Sequence, residues 1–96
     1  MALIISKKIR EKLLTKHGVT EREVVECFHN RVLGALRDTR EDHLTDPPTL
    51  WLISETNHCR TLKLIFIVKD GDAVLKSAYE PNQNEIEIYS KFAEYY

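Results

Sequence analysis

At Trp51 the apolar pattern of this chain changes period, and that change limits what the chain can fold into. Before it, apolar residues recur at helical spacing; after it, they alternate or run in blocks of strand length. Between the two halves lies Asp38-Thr-Arg-Glu-Asp-His-Leu-Thr-Asp-Pro-Pro-Thr-Leu-Trp51. Its paired prolines bias their predecessors toward extended geometry and exclude a helix there. Helices followed by strands is the order of an α+β domain.

The second half reads as a meander. Trp51 to Thr56 is a strand, Asn57-His-Cys-Arg60 a turn, and Leu62 to Val68 a second strand, apolar on both faces and hence central. Asp70-Gly71-Asp72 is a tight-turn signal. Ala73 to Tyr79 forms a third strand, which Glu80-Pro81-Asn82 ends. Asn84 to about Ala93 then makes a short helix, with Ile86, Tyr89 and Phe92 on one face.

In the first half, Ser6 caps a helix that carries Ile9, Leu13 and Leu14 and stops at Gly18, with Lys16 and His17 in the last turn. Thr20-Glu-Arg-Glu23 is a capping box, and Val19 with Val24 is the matching hydrophobic staple, so a second helix runs to about Asn30. Val32, Leu33, Ala35 and Leu36 either end that helix or form a short edge strand. The expected fold is α+β: two N-terminal helices and a C-terminal helix on one face of a small antiparallel meander sheet.

Ninety-six residues are enough for one domain, here 1–96, with a single modest core. A formal charge of −1 gives no global attraction to nucleic acid, so RNA binding would need a local basic patch. No apolar run is long enough to cross a bilayer, and the opening Met-Ala-Leu-Ile-Ile is too short for a signal-peptide core. The expectation is a cytoplasmic protein without membrane contact. Cys27 and Cys59 are then reduced thiols, Cys27 in the core.

Three chemistries are open to these residues. Asp38, Glu41, Asp42, His43 and Asp46 offer five potential oxygen or nitrogen ligands within nine residues, but their spacing matches no calcium or zinc motif. Arg37 and Arg40 among them favour a solvated, self-paired loop, so neither metal nor cofactor is expected. His43, held by a carboxylate such as Asp42, is a candidate proton carrier; the simpler reading is a solvated loop histidine. Arg60, Lys63, Lys69 and Lys76 form a third candidate, a phosphate-facing patch on an open sheet face with Tyr79 and Tyr89 near. The simpler reading of that face is solvated charge that discourages edge association. His17, His29 and His58 read as helix-end, helix-surface and turn residues.

Lys16-His-Gly-Val19 between two short helices resembles the KHGV signature of BrnT-type toxins, members of the RelE-like ribonucleases. The likeness continues through Arg60-x-Leu62-x-Leu64-Ile65, Ser77-Ala78 and Glu85…Tyr89, over roughly residues 6 to 90. Tyr79 stands where that family has the arginine of SAR, Glu85-Ile86 where it has ER, and Cys59 where it has the glycine of GR. The resemblance implies a small α+β fold, metal-independent RNA cleavage through the ribose 2′-OH, and neutralisation by a DNA-binding antitoxin. It carries over Lys16 and Arg60 as functional cations.

Two functions follow. One is a toxin-type ribonuclease in which His43, Arg60 and Tyr79 are catalytic and Lys16, Arg40 and Lys63 hold RNA. The other is a catalytically silent interaction domain whose 38–49 loop, through Arg40, Asp42 and His43, binds a protein partner. The residues leave the oligomeric state open, a homodimer included.

Overall fold

The computed structural model describes residues 1–40 and 45–94. The chain begins with a short strand β1 (Leu3–Ile4), then α1 (Lys7–Lys12), which widens into a π-helical turn over Leu13–His17. Next come α2 (Glu21–Asn30), β2 (Leu36–Arg37), β3 (Leu50–Glu55), β4 (Thr61–Lys69), β5 (Asp72–Tyr79) and α3 (Gln83–Phe92). The five strands form one sheet in the order β1-β5-β4-β3-β2.

The helix boundaries follow their caps. Ser6 Oγ accepts from the Ile9 N–H at 3.2 Å, and Gly18 ends the π turn in the left-handed region, at φ 62°, where a glycine has no Cβ penalty. At α2 the box is complete: Thr20 Oγ1 accepts from the Glu23 N–H, and Glu23 Oε1 accepts from the Thr20 N–H at 3.0 Å. A second box starts α3, where Asn82 Oδ1 accepts from the Glu85 N–H at 2.8 Å and Glu85 Oε1 accepts from the Asn82 N–H at 3.0 Å.

The meander β3-β4-β5 is antiparallel as expected, with Lys63 of β4 opposite both Ile53 and Tyr79. Two additions widen it. Leu36–Arg37 pairs antiparallel with Leu50 and Trp51, which selects the edge-strand alternative for that segment. Leu3–Ile4 pairs parallel with Ala73 and Val74, so the sheet is mixed. A bulge between Ile65 and Phe66 locally shifts the β4–β5 register.

The helices do not share one face of the sheet. Side chains alternate along a strand, so Leu62, Leu64 and Phe66 turn one way and Lys63 and Ile65 the other. The first set meets α2, with Phe28 edge-on to Phe66 at 6.4 Å. The second set meets α3: Lys63 Nζ pairs with Glu85, and Trp51 lies 5.7 Å from the Tyr89 ring. The α+β class stands, with α1 and α2 on one side and α3 on the other. The reason is that the second face is itself part apolar, through Trp51, Ile53 and Ile65, and needs cover.

The larger core lies on the α1–α2 side. Leu13, Val19, Val24 and Cys27 from the helical half meet Leu52, Leu62, Leu64, Leu75 and Ala78 from the sheet, all buried. Each leucine there contributes about 2 kcal/mol by leaving water. Burial pushes the Cys27 thiol up to about 12, in keeping with an inert core residue. On the other side the Tyr89 hydroxyl lies 3.1 and 2.9 Å from the Leu33 and Gly34 carbonyls, tying α3 to the segment after α2.

Candidate functional site

The π turn that ends α1 brings Lys16 and His17 to the open end of β5. There they meet Arg60, at the start of β4, and Tyr79 and Glu80, at the end of β5, around a cleft of about 500 Å³. Beyond the last β4–β5 pair, Lys63 with Tyr79, Arg60 just before β4 and Glu80 just after β5 meet in an ion pair, and Gly18 turns the chain at the end of the π turn that carries His17. The His17 and Tyr79 rings are in contact, 5.4 Å apart at 44°.

Arg60 organises this corner. Its Nε donates to Glu80 at 2.9 Å, and its Nη1 lies 3.0 Å from both Glu23 carboxylate oxygens and from the Gly18 carbonyl. These contacts raise the Arg60 pKa further, the Glu23 and Glu80 hydrogen bonds leading. For Glu23, burial pushes the pKa upward, but the Thr20 N–H and Arg60 outweigh it and hold the carboxylate below its ordinary range. Arg60 Nη2 has no hydrogen-bond partner among the described residues.

Of the residues singled out in the sequence, Lys16, Arg60 and Tyr79 therefore share one cleft. Arg40 and Lys63 instead line a second cavity of about 460 Å³, between β2 and α3. Arg40 clasps Asp38 through Nε at 3.1 Å and Nη2 at 2.8 Å. Lys63 departs from the expected open basic face: it is buried, pairs with Glu85, and lies 4.6 Å from the Trp51 ring centroid and 5.6 Å from that of Tyr79. The reason is α3, which roofs the face that strand parity marked as solvent-exposed. Burial tends to raise the Glu85 pKa, yet Lys63 and the Asn82 N–H lower it overall. Asp42 and His43 lie outside the described residues.

His17 is the functional candidate that reading the sequence residue by residue misses. Helix-end electrostatics explains it locally, and the resemblance carries over its neighbour Lys16 but not His17 itself. Among the described residues, no group of three or more His, Cys, Asp or Glu side chains is placed to hold a metal ion. No helix among them is long and apolar enough to cross a membrane.

No protein-family model matches the chain, and no curated protein matches it by sequence. Among solved structures, it superposes on the Brucella abortus ribonuclease toxin BrnT, known from a 1.1 Å crystal structure, with a TM-score of 0.60. The alignment covers 86% of this chain and 99% of that one, at 22% identity. The fold is BrnT-like. At that identity the likeness speaks for the architecture, three helices on a five-stranded sheet. The use made of the BrnT-like scaffold has to be argued from the clefts it forms in this chain.

Proposed function

We propose that this chain is a toxin-type endoribonuclease, working without a metal at the Lys16–His17–Arg60–Tyr79 cleft and held in check by a protein antitoxin. The observation that carries the reading is the convergence of those four side chains, from three separate parts of the chain, on a fold shared with a ribonuclease toxin. In the reaction, the ribose 2′-oxygen attacks the adjacent phosphorus and the 5′-oxygen leaves. The products are a 2′,3′-cyclic phosphate and a 5′-hydroxyl end.

An imidazole is the side chain suited to moving a proton at neutral pH, so His17 takes the 2′-OH proton or returns one to the leaving oxygen. Lys16 and the open edge of Arg60 stabilise the negative charge that grows on the phosphate oxygens. Tyr79 supplies a face for the neighbouring base and a hydroxyl donor. Arg60 also positions His17, because it grips the carbonyl of the next residue, Gly18.

Inducible expression in a bacterial host tests the proposal. Growth arrest with breakdown of total RNA, abolished by His17→Ala, is the expected result. Normal growth and intact RNA from a folded, soluble product would reject it.

A second reading, a silent interaction domain, draws on one observation: the cations Arg60, Lys63 and Arg40 are each paired with a carboxylate. Under it, the chain would leave RNA intact, and Arg40→Ala would weaken capture of a protein partner without changing far-UV circular dichroism.

A further inference from the structure

The cavity between β2 and α3 is linked to the cleft through Lys63, which lines it and whose Nζ lies 5.6 Å from the ring centroid of Tyr79 in the cleft. Its floor is Trp51 and Lys63, and α3 supplies one wall through Glu85, Ile88 and Phe92. At about 460 Å³ it falls within the range of small-ligand sites, roughly 300–1,000 Å³. We infer that this cavity receives a nucleobase of a single-stranded RNA whose backbone passes the cleft, an inference that rests on the nuclease reading.

The cavity wall suits a base. Phe92 is 59% exposed, a large aromatic left in solvent at the mouth of the cavity, and Ile88 beside it is 38% exposed. Flat apolar surfaces of this kind stack bases, a contact that tolerates any base because each has a π-face. Beside this wall the Lys63 ammonium and the Glu85 carboxylate stand side by side. A base edge presents acceptors next to donors, and a cation beside a carboxylate answers both. An apolar protein side chain set down there would desolvate the ion pair and return no hydrogen bond, which disfavours a peptide occupant.

Trp51 on β3 and Tyr79 on β5 flank the central strand, about 10 Å apart by strand spacing. That is the reach of a nucleotide or two. Lys63 lies between them, within 4.6 Å of the Trp51 ring centroid and 5.6 Å of that of Tyr79. Arg37, exposed at the rim, is placed to meet the next phosphate.

The test uses Trp51, the chain's single tryptophan, as its probe. The full-length protein is titrated with GMP, AMP, CMP and UMP and with a 2′-O-methyl oligoribonucleotide that cannot be cut. Fluorescence is corrected against a free tryptophan analogue. Saturable quenching is expected with all four bases. Phe92→Ala should weaken it about tenfold with the far-UV spectrum unchanged, whereas Val25→Ala, at an exposed position of α2 on the other side of the sheet, should leave it as it is. Absence of saturable quenching up to millimolar nucleotide, or quenching that Phe92→Ala does not alter, would overturn the inference. Quenching in a protein that leaves RNA intact would keep the base site and remove the nuclease. Cleavage without quenching would do the reverse.

Discussion

Arg60 Nη1 sits 3.0 Å from both carboxylate oxygens of Glu23, so the first residues of the central strand are tied directly to the capping box of α2. Glu23 is at once the box acceptor for Thr20 and the counter-ion of Arg60. One carboxylate thus couples helix start, strand start and, through Gly18, the His17 corner.

Arg60→Ala should cost about 2–3 kcal/mol of stability, because it leaves Glu23 and Glu80 without their shared cation. Arg60→Lys should recover only part, since an ammonium cannot span both carboxylates and the Gly18 carbonyl. Urea unfolding of Arg60→Ala, Glu23→Gln and the double variant checks this. The expected coupling energy is about 1 kcal/mol or more, and additive losses would count against a direct pair. It also follows that a loss of activity in Arg60→Ala is ambiguous, and that His17 is the cleaner position to change.

Acid should weaken the fold through two carboxylates. Glu23 and Glu85 both have pKa values held below the ordinary range in the folded chain. Protons therefore bind the unfolded chain more readily, and the stability these groups contribute is present above the ordinary carboxylate pKa and lost as pH falls. Urea midpoints should drop from about pH 5 downward. Glu85→Gln should be less stable at pH 7 and lose less on acidification. A midpoint flat between pH 7 and 3 would contradict this.

Cys59 occupies a left-handed backbone conformation, φ 65°, at the turn between β3 and β4. A non-glycine residue there costs about 1–2 kcal/mol, part of which glycine gives back as chain entropy. Cys59→Gly should accordingly stabilise by about 0.5–1 kcal/mol, read as a rise in the thermal midpoint. A fall would show that the thiol makes contacts that outweigh the strain.

The fold is largely legible in the sequence where local chemistry decides it. Thr20 and Glu23 mark α2 because their capping box is a short-range device, and Asp70-Gly71 marks the hairpin for the same reason. Long-range pairing is what sequence patterns leave open. Leu3–Ile4 is too short to carry a period and becomes a strand only by meeting Ala73 and Val74. The same limit explains Lys63: its parity is right, but α3 comes back over that face through Tyr89 and Glu85, far along the chain. Of the candidate cleft, Lys16 and Arg60 come from the family resemblance, and Tyr79 from its place at the end of the third strand, on the sheet face that strand parity marks. His17 needed the packing of its ring on Tyr79 to stand out.

The Lys63–Glu85 pair should behave as a buried ion pair does. Lys63→Ala leaves the half-buried Glu85 carboxylate without its cation and should cost about 3 kcal/mol, whereas replacing both partners with apolar residues of similar size should cost less, chiefly the lost capping-box bond to the Asn82 N–H, about 1 kcal/mol. Denaturant titration of Lys63→Ala and of Lys63→Met with Glu85→Leu separates the two. Equal losses would show that the charges themselves hold α3 in place.

The most direct test of the proposed nuclease is cleavage of a defined single-stranded RNA by purified protein in excess chelator, with the ends of the products identified. Wild-type protein should leave 2′,3′-cyclic phosphate and 5′-hydroxyl ends. His17→Ala, folded by circular dichroism, should cut at least a hundredfold more slowly, as expected for loss of a proton-transfer group. Intact RNA with the wild-type protein, or equal cleavage by His17→Ala, would contradict the assignment of this cleft.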